Sequence, residues 1–400
     1  MRYVKIINYN YGGYILSKID NLKKYVKTIR DGVSTKVDFE KFNEDIENIK
    51  PVDAFQIFHS LLEEGNEADD ILAFLDKVIN VFYHSLLNYQ IKDSNYEFLN
   101  NLIYENNKLK NIMDEIKQII KMPSWRNEKD NIFEKINELK DFHKHYTIIQ
   151  NIIFPFLEKK EEKFEGTSIM WALHDEVKKY LDDLYLAVRD NKGEKEVNIC
   201  LGNVFFGYLG LVQKEELILF PSAVEVLDDK DWKQMHRQSL DYEWAFVDIA
   251  KYEKEVNNLE KIDFSDKKIK AETGNLDVEQ LLLILNSLTI DLTYVDENNK
   301  VRFFTKPKDR FFPRSPAIIG RDVKNCHPPA SVHIVEEILD SFKSGEKDKA
   351  KFWINIKDKT ILIQYFALRN EKEEYKGTLE ISQDVTEIKG LSGEKRLLDW

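Results

Sequence analysis

The chain has 400 residues, of which 42% are hydrophobic, and its formal net charge is −12. This length exceeds one small core and indicates two or three domains. The acidic balance argues against a broad surface for nucleic acid or anionic lipid. The sequence has no apolar run of the roughly 18–20 residues that span a bilayer, and its start lacks a signal-peptide pattern. We therefore expect a cytoplasmic protein without nucleic-acid or membrane partners.

Residues 1–93 have the pattern of a small all-helical module with little glycine. Apolar side chains recur at helical spacing over 51–62 and again over 69–89. Gly65 and Asn66 separate these two stretches, as expected of residues that favour turns. The sequence therefore predicts a separate helical domain at the start of the chain.

Residues 94–250 follow with longer helical stretches. The spacing of their apolar residues predicts four helices and an appended fifth, at 96–120, 128–154, 167–189, 197–220 and 232–248. The second and fourth of these end at Phe154-Pro155 and Phe220-Pro221, where we expect regular helix to stop because proline lacks an N–H. Four helices with short connections predict an up-and-down bundle.

The charged stretch 251–275 holds few large apolar side chains and is predicted to be a linker. From residue 276 the period changes from helical to alternating. This alternation predicts five strands, at 291–295, 301–304, 351–356, 360–368 and 375–385. Short helices are expected between the second and third strands. Residues 276–400 are thus predicted to form an α+β domain with its helices on one face of the sheet.

Two segments of similar pattern flank the run from Met170 to Glu176: His145 to Pro155 and Leu211 to Pro221. On these segments, and on Glu215-Glu216 in particular, residues 94–248 resemble a hemerythrin-type HHE cation-binding bundle. The resemblance implies that the bundle surrounds a site for metal ions. It also implies that histidine and carboxylate ligands project inward from several helices.

A second resemblance rests on residues of the C-terminal region. They are Tyr294-Val295-Asp296, Ile319-Gly320-Arg321, Cys326-His327-Pro328-Pro329, Gly377-Thr378-Leu379-Glu380 and Gln383-Asp384-Val385-Thr386. Through them residues 280–390 resemble a PAS sensor domain. The order of an N-terminal helical module, an HHE bundle and a C-terminal PAS domain is similar to that of an uncharacterised prokaryotic family. It implies a multidomain fold, in which an all-α N-terminal module and a hemerythrin-like four-helix bundle precede an α+β PAS domain with a five-stranded antiparallel sheet.

The hemerythrin resemblance implies metal ligands, but this region offers few histidines. Ile149 and Gln150 occupy the positions where the resemblance implies a glutamate ligand. In the second of the two similar segments, Leu211 occupies the position equivalent to His145. The remaining candidate ligands are Glu105, His145, His174, Glu215 and Glu216. Such a set can bind one iron or zinc ion. It can equally form a buried hydrogen-bond network that stiffens the bundle without metal.

Three residues of the PAS-like region are candidates for ligand binding: Cys326, His327 and His333. A thiolate or imidazole there would suit haem iron, whereas Cys326 can also be a small buried side chain and His327 a helix cap. The strands carry aromatic residues that can line a ligand cavity or fill a core: Phe303, Phe304, Phe352, Trp353, Tyr365 and Phe366. A basic cluster would suit an anionic ligand or form a solvated face: Lys306, Lys308, Arg310, Arg314 and Arg321.

Motifs for catalysis are lacking in the sequence: it has no phosphate-binding glycine loop, nucleophile elbow or paired-cysteine zinc motif. We assign no catalytic residue and do not predict an enzyme. The sequence predicts a cytoplasmic sensory protein whose PAS domain detects a small ligand or a redox state and couples it to the bundle. The alternative is an iron-binding protein that responds to oxygen, nitric oxide or redox state, with the PAS domain as regulator. We expect the protein, in both interpretations, to act on a protein partner or through a homodimer.

Overall fold

The fold is taken from a computed structural model of the chain. It describes residues 18–394, except for 123–124, 126–128, 250–267, 272, 309 and 357. The chain divides into two compact units, Met1–Asn257 and Asn258–Trp400. The predicted module 1–93 and bundle 94–250 therefore belong to one compact unit. Within the described ranges, no helix is both long and apolar enough to cross a membrane.

The first unit is built from helices in the part that the structure describes. Its α-helices are α1 (residues 18–30), α2 (Lys36–Glu47), α3 (Pro51–Glu63), α4 (Ala68–Leu87), α5 (Glu97–Ile120), α6 (Lys129–Asp141), α7 (His143–Ile148), α8 (Phe154–Glu158), α9 (Ser168–Arg189), α10 (Glu194–Lys214), α11 (Phe220–Val226) and α12 (Asp229–Ser239). The N-terminal helices pack directly on the later ones, since the rings of Phe55 and Phe164 meet at 5.0 Å between centroids. The helical character predicted for this region is confirmed.

Two π-helical turns interrupt the long helices, Ile149–Ile153 between α7 and α8 and Glu215–Leu219 between α10 and α11. Each leads into a Phe-Pro pair, and the helix continues beyond it with Pro155 or Pro221 in the first turn. The prediction that helix stops at these pairs is therefore wrong. Proline is tolerated there because the widened turn has already displaced the regular i to i−4 hydrogen bonds.

The second unit contains a hairpin and a five-stranded antiparallel sheet with the spatial order β4-β3-β7-β6-β5. Its elements are β1 (Lys268–Ala271), β2 (Gly274–Asp277), α13 (Val278–Ser287), β3 (Asp291–Asp296), β4 (Val301–Phe304), α14 (Pro329–Ser344), β5 (Lys349–Ile356), β6 (Lys359–Arg369) and β7 (Tyr375–Asp384). The predicted five-stranded antiparallel sheet is confirmed. Most of the predicted linker 251–275 lies outside the described residues, and its last part forms the β1–β2 hairpin instead.

An apolar cluster marks the inner face of the five-stranded sheet. Val295 packs there with Val301 against Ile318, Val323 and Leu339, which come from two short 3₁₀ turns and from α14. Residues opposite one another, or two apart along a strand, share a face of a sheet. The inner face therefore also carries Asp291 and Thr293 on β3, Thr378, Glu380 and Ser382 on β7, and Ile361, Ile363 and Tyr365 on β6. It is apolar at one end and polar at the other.

Gly377 lies where β7 begins to pair with β3. Its φ is +135°, a conformation that residues with a side chain rarely adopt. A Cβ atom at this position would also collide with the carbonyl oxygen of Val295 on the neighbouring strand. Glycine is therefore required for the close approach of β7, the central strand of the sheet, to β3.

Candidate functional site

The interior of the helical unit contains an ionic cluster, which we call the buried centre: Glu105, His145 and Glu215, each fully buried. His145 Nδ1 lies 2.9 Å from Glu105 Oε2, and its Nε2 lies 3.2 Å from Glu215 Oε2. Burial alone would lower the pKa of His145, but Glu215 and Glu105 outweigh that effect and raise the pKa to about 9. His145 is therefore an imidazolium that donates to a carboxylate from each ring nitrogen.

His174 lies beside the buried centre but is bound differently. Its Nδ1 is 2.8 Å from the amide nitrogen of Gln150, and its ring stacks on Tyr146 at 4.3 Å between centroids. Burial lowers the pKa of His174 well below its ordinary value, so the ring is neutral. Its Nε2, the Tyr146 hydroxyl and Glu215 Oε1 have no hydrogen-bond partner in the described part of the chain.

Glu216, the fifth candidate metal ligand, is directed away from the buried centre. Its two oxygens accept hydrogen bonds from Lys110 at 2.6 Å and from Gln90 at 2.9 Å. Across the described ranges, no three or more His, Cys, Asp or Glu side chains are arranged to hold a metal ion. As arranged, the buried centre does not fit iron or zinc, because both nitrogens of His145 already donate to carboxylates. The contacts are those of a buried hydrogen-bonded network.

The buried centre also contacts a segment that follows α12. Glu105 Oε1 accepts a hydrogen bond from the backbone N–H of Phe246 at 2.8 Å. The Phe246 ring stacks over Phe142, and Phe142 stacks on His145 with 4.6 Å between ring centroids. Residues 244–246, which we call the exit segment, therefore depend on the side chains that surround His145.

A second polar cluster lies on the inner sheet face of the second unit. We call it the polar patch, and it consists of Asp291, Thr293, Glu380, Ser382 and Arg314. Asp291 stands opposite Ser382 in the register of β3 and β7, and Thr293 stands opposite Glu380. All four strand residues are buried. Arg314 Nη2 donates to Glu380 Oε1 at 2.9 Å, which fixes the guanidinium over this end of the sheet.

Four atoms of the polar patch lack hydrogen-bond partners among the residues that the structure describes: Arg314 Nε, Asp291 Oδ1 and the hydroxyl oxygens of Thr293 and Ser382. The other Asp291 oxygen accepts a backbone N–H at 2.9 Å. Its Oδ1 lies 3.9 Å from Arg310 Nη2, which is beyond hydrogen-bond distance. A buried polar atom without a partner is unfavourable by roughly 1–3 kcal/mol. Four such atoms lie on one face of the sheet, where an ordered water, an ion or a polar ligand can supply the missing hydrogen bonds.

His327 and Tyr365 extend this interior. His327 donates from Nδ1 to the Val323 carbonyl at 2.8 Å, which leaves Nε2 as an acceptor. Burial lowers the pKa of His327, although the nearby Glu380 acts in the opposite direction. Tyr365 stands opposite Glu380 on β6, and burial, followed by that carboxylate, raises its pKa. Both side chains are therefore polar and uncharged at neutral pH.

The C-terminal region has a match among known families. Residues 281–386 match the model of a family described as PAS domain. These residues form a PAS domain. The matched residues all lie in the second unit, so they do not test the hemerythrin resemblance of residues 94–248, which stays a prediction. No protein among the curated sequences matches the chain.

Solved structures also resemble part of the chain. The C-terminal domain of a protein from Streptococcus mutans is 28% identical, with 32% of this chain and 98% of that one covered and a TM-score of 0.30. The PAS domain of a protein from Colwellia psychrerythraea is 18% identical, with 28% and 98% covered and a TM-score of 0.23. A sensory box sensor histidine kinase from Vibrio cholerae is 15% identical, with 27% and 92% covered and a TM-score of 0.22.

The three ligand-binding candidates of the PAS domain fall in different places. His327 reaches the interior next to Glu380, and Cys326 packs against the apolar cluster. His333 is exposed on α14 and is not brought together with them. For haem iron, His327 is the suitable ligand of the three, because a carbonyl already fixes its Nδ1–H and orients its Nε2.

The aromatic candidates divide evenly between the two faces of the sheet. The strand register places Phe304, Phe352 and Tyr365 on the inner face and Phe303, Trp353 and Phe366 on the outer one. Sequence reasoning missed Asp291, Thr293, Glu380 and Ser382 as site residues. Asp291 and Thr293 share the phase of the buried Val295 along β3, but Leu292 is buried in the opposite phase, so the alternation alone does not mark them.

Proposed function

We propose that this chain is a sensory protein whose PAS domain binds a small ligand at the polar patch and whose helical unit relays that event. One observation carries the proposal. Four buried polar atoms without described partners stand beside the Arg314–Glu380 ion pair, where a purely structural core would be apolar. An interior with a few convergent polar groups is typical of a small-molecule site. A ligand there supplies the bonds that the domain lacks.

The helical unit, as a hemerythrin-like bundle, is the relay in this proposal. Its support is the bond from the Phe246 N–H to Glu105, because it ties the exit segment to the buried centre. A rearrangement of His145 changes the acceptor of Phe246, and therefore the segment that precedes residues 250–267. The output is a contact with a protein partner or with a second copy of the chain.

The test is native mass spectrometry of the purified full chain, followed by extraction and identification of bound small molecules. We expect a ligand that also raises the melting temperature of the PAS domain. Ser382→Leu, which fills the polar patch, should abolish binding, whereas Trp353→Ala on the outer face should preserve it. Unchanged binding by Ser382→Leu would place the site elsewhere. A chain that neither carries nor takes up a small molecule would refute ligand sensing.

A second candidate is an iron-binding protein that responds to oxygen, nitric oxide or redox state. The observation that favours it is the pair of buried atoms without described partners, His174 Nε2 and Glu215 Oε1. Metal binding would require His145 to lose a proton and release Glu215. Elemental analysis of the full chain decides it. Near-stoichiometric iron or zinc that is lost in the His145→Ala, His174→Ala double variant would support this function, and a metal-free protein would remove it.

Haem in the PAS domain is tested with the same preparation. Bound haem should give a Soret band that changes in His327→Ala and stays the same in His236→Ala, a change within the helical unit. A protein that stays colourless after addition of haem would remove this ligand from consideration.

A further inference from the structure

The polar patch contains both kinds of hydrogen-bonding group. Arg314 Nε is a charged donor, Asp291 Oδ1 is a charged acceptor, and the hydroxyls of Thr293 and Ser382 can act as either. A ligand that satisfies all four atoms must offer an acceptor to the arginine and a donor to the aspartate. A simple anion offers only acceptors, and an apolar molecule offers neither.

The charges of the patch set a second condition. Two guanidinium groups, Arg310 and Arg314, face two carboxylates, Asp291 and Glu380, with pairs at 3.9 and 2.9 Å. His327 adds no charge, because burial lowers its pKa. The charges of these four side chains therefore balance, and a ligand with a net charge would leave one of the charged groups at the patch without a counterpart.

The positions of the four atoms limit the size of the ligand. Asp291 and Ser382 are directly opposite on neighbouring strands, and Thr293 is two residues along β3. Opposite side chains have Cβ atoms about 5 Å apart, and diagonal ones about 7–8 Å apart. Arg314 donates to Glu380. Glu380 stands opposite Thr293 and is therefore diagonal to Asp291. A molecule with two charged groups a few bonds apart can reach from Arg314 to Asp291 over such a distance.

We infer that the polar patch binds a small zwitterion of the free amino acid class. This inference rests on the proposed sensing function and names the ligand class of the same site. The carboxylate of the ligand accepts from Arg314 Nε and from a hydroxyl, and its ammonium group donates to Asp291 Oδ1. Charge-assisted hydrogen bonds of this kind are stronger than neutral ones, and here they are formed away from water.

The hydroxyls provide a sharp test, because their removal has opposite effects on the empty and the bound protein. Thr293→Val keeps the shape of the side chain and removes a buried hydroxyl that has no described partner. We expect the melting temperature of the ligand-free PAS domain to rise by about 4 °C or more. The same variant should bind its ligand about tenfold more weakly, because one hydrogen bond is lost. Ser382→Ala should likewise raise the melting temperature of the ligand-free PAS domain and weaken ligand binding.

A matched control lies on the same face of β7. Thr378 is also buried, but its hydroxyl is 2.8 Å from the hydroxyl of Tyr375. Thr378→Val should therefore lower the melting temperature and leave the affinity unchanged. A role limited to packing would give Thr293→Val and Thr378→Val the same effect on binding.

The experiment is isothermal titration calorimetry of the full chain with three panels: the twenty amino acids, small dicarboxylates and neutral polyols. The inference requires at least one amino acid to bind, with weaker binding in Thr293→Val and Ser382→Ala. Binding of a dicarboxylate or polyol alone would overturn the ligand class and leave sensing by the PAS domain intact. No binding from any panel, together with no ligand in native mass spectrometry, would overturn both. Binding of an amino acid that neither variant weakens would overturn the assignment to the polar patch.

Discussion

At the scale of single residues, the three histidines around Tyr146 carry different charges because they have different neighbours. Glu215 and Glu105 raise the pKa of His145 to about 9 despite its burial. Burial, aided by Lys178, lowers the pKa of His143 to about 4. Burial also lowers the pKa of His174 far below its ordinary value. One cation and two neutral rings therefore share the interior of the helical unit at neutral pH.

The neutral histidines predict a loss of stability in mild acid. Unfolded His143 takes up a proton near pH 6.5, whereas folded His143 does so only near pH 4, so its contribution is present above pH 6.5 and is lost as the pH falls. One such histidine removes about 2 kcal/mol from the free energy of unfolding between pH 6.5 and pH 5. His174 acts in the same direction. Urea denaturation at both pH values measures this loss.

The variant that checks this prediction is His143→Gln, with the exposed His333→Gln as its control. The free energy of unfolding of His143→Gln should depend less on pH, by about the contribution of one histidine. His333→Gln should behave like the wild type. A full acid-induced loss in His143→Gln would show that the folded protein does not lower the pKa of His143.

Glu105 allows a direct test of the charge on His145. Glu105→Gln keeps the shape of the side chain and removes one of the two carboxylates that neutralise the buried imidazolium. We expect the free energy of unfolding to fall by about 3 kcal/mol, as when a buried ion pair loses one partner. The control is Glu40→Gln, because Glu40 pairs with Lys36 on the surface, where both side chains are more than half exposed and such pairs contribute about 0–1 kcal/mol. Equal effects of the two changes in urea denaturation would contradict a charged His145.

At the scale of elements, the hydrophobic period was enough to locate most helices and strands. The five predicted strands of the sheet begin and end within two residues of the observed ones, because their alternation is regular and turn residues separate them. The π turns could not be predicted, since a widened turn leaves the apolar period almost unchanged. The β1–β2 hairpin was missed because Lys268 to Ala271 is charged and short, as a linker would be.

The two candidate sites were harder to predict because their partners are far apart in the sequence. His145 and Glu215 are separated by 70 residues, and Arg314 and Glu380 by 66. Histidines and glutamates in helices that face each other pointed to the buried centre. Both faces of β3 mix polar and apolar residues, so the strand pattern alone did not show that Asp291 and Thr293 face inward.

The exit segment gives a prediction at this scale. Glu105→Ala removes the oxygen that accepts the Phe246 N–H, whereas Glu215→Ala removes the other carboxylate from His145 and leaves that oxygen in place. We expect hydrogen exchange of the Phe246 amide to be about tenfold faster in Glu105→Ala than in Glu215→Ala. Hydrogen–deuterium exchange with mass spectrometry of peptides that cover residues 240–249 measures the difference. Equal exchange in the two variants would mean that the buried centre does not hold this segment.

At the scale of the whole molecule, each compact unit concentrates its buried charge in a different kind of place. The helical unit encloses the imidazolium of His145 between two carboxylates, although Glu215 Oε1 has no hydrogen-bond partner among the described residues. The PAS domain leaves polar atoms of its sheet without described partners beside an ion pair. Buried polar atoms without described partners occur in both units, but those of the PAS domain place a charged donor and a charged acceptor on one face of a sheet. We therefore propose detection in the PAS domain, and relay in the helical unit, where Glu105 accepts the Phe246 N–H.

The division into two compact units predicts how the full chain unfolds. Each unit has its own core, so calorimetry should resolve two transitions that respond to different substitutions. Glu105→Gln should lower only the transition in which most helical circular dichroism is lost, because Glu105 lies in the helical unit. Thr293→Val should raise only the other one, because it removes a buried hydroxyl without a described partner from the PAS domain. A single transition that both substitutions shift would mean that the two units unfold together, and ligand binding at the polar patch would then stabilise the helical unit as well.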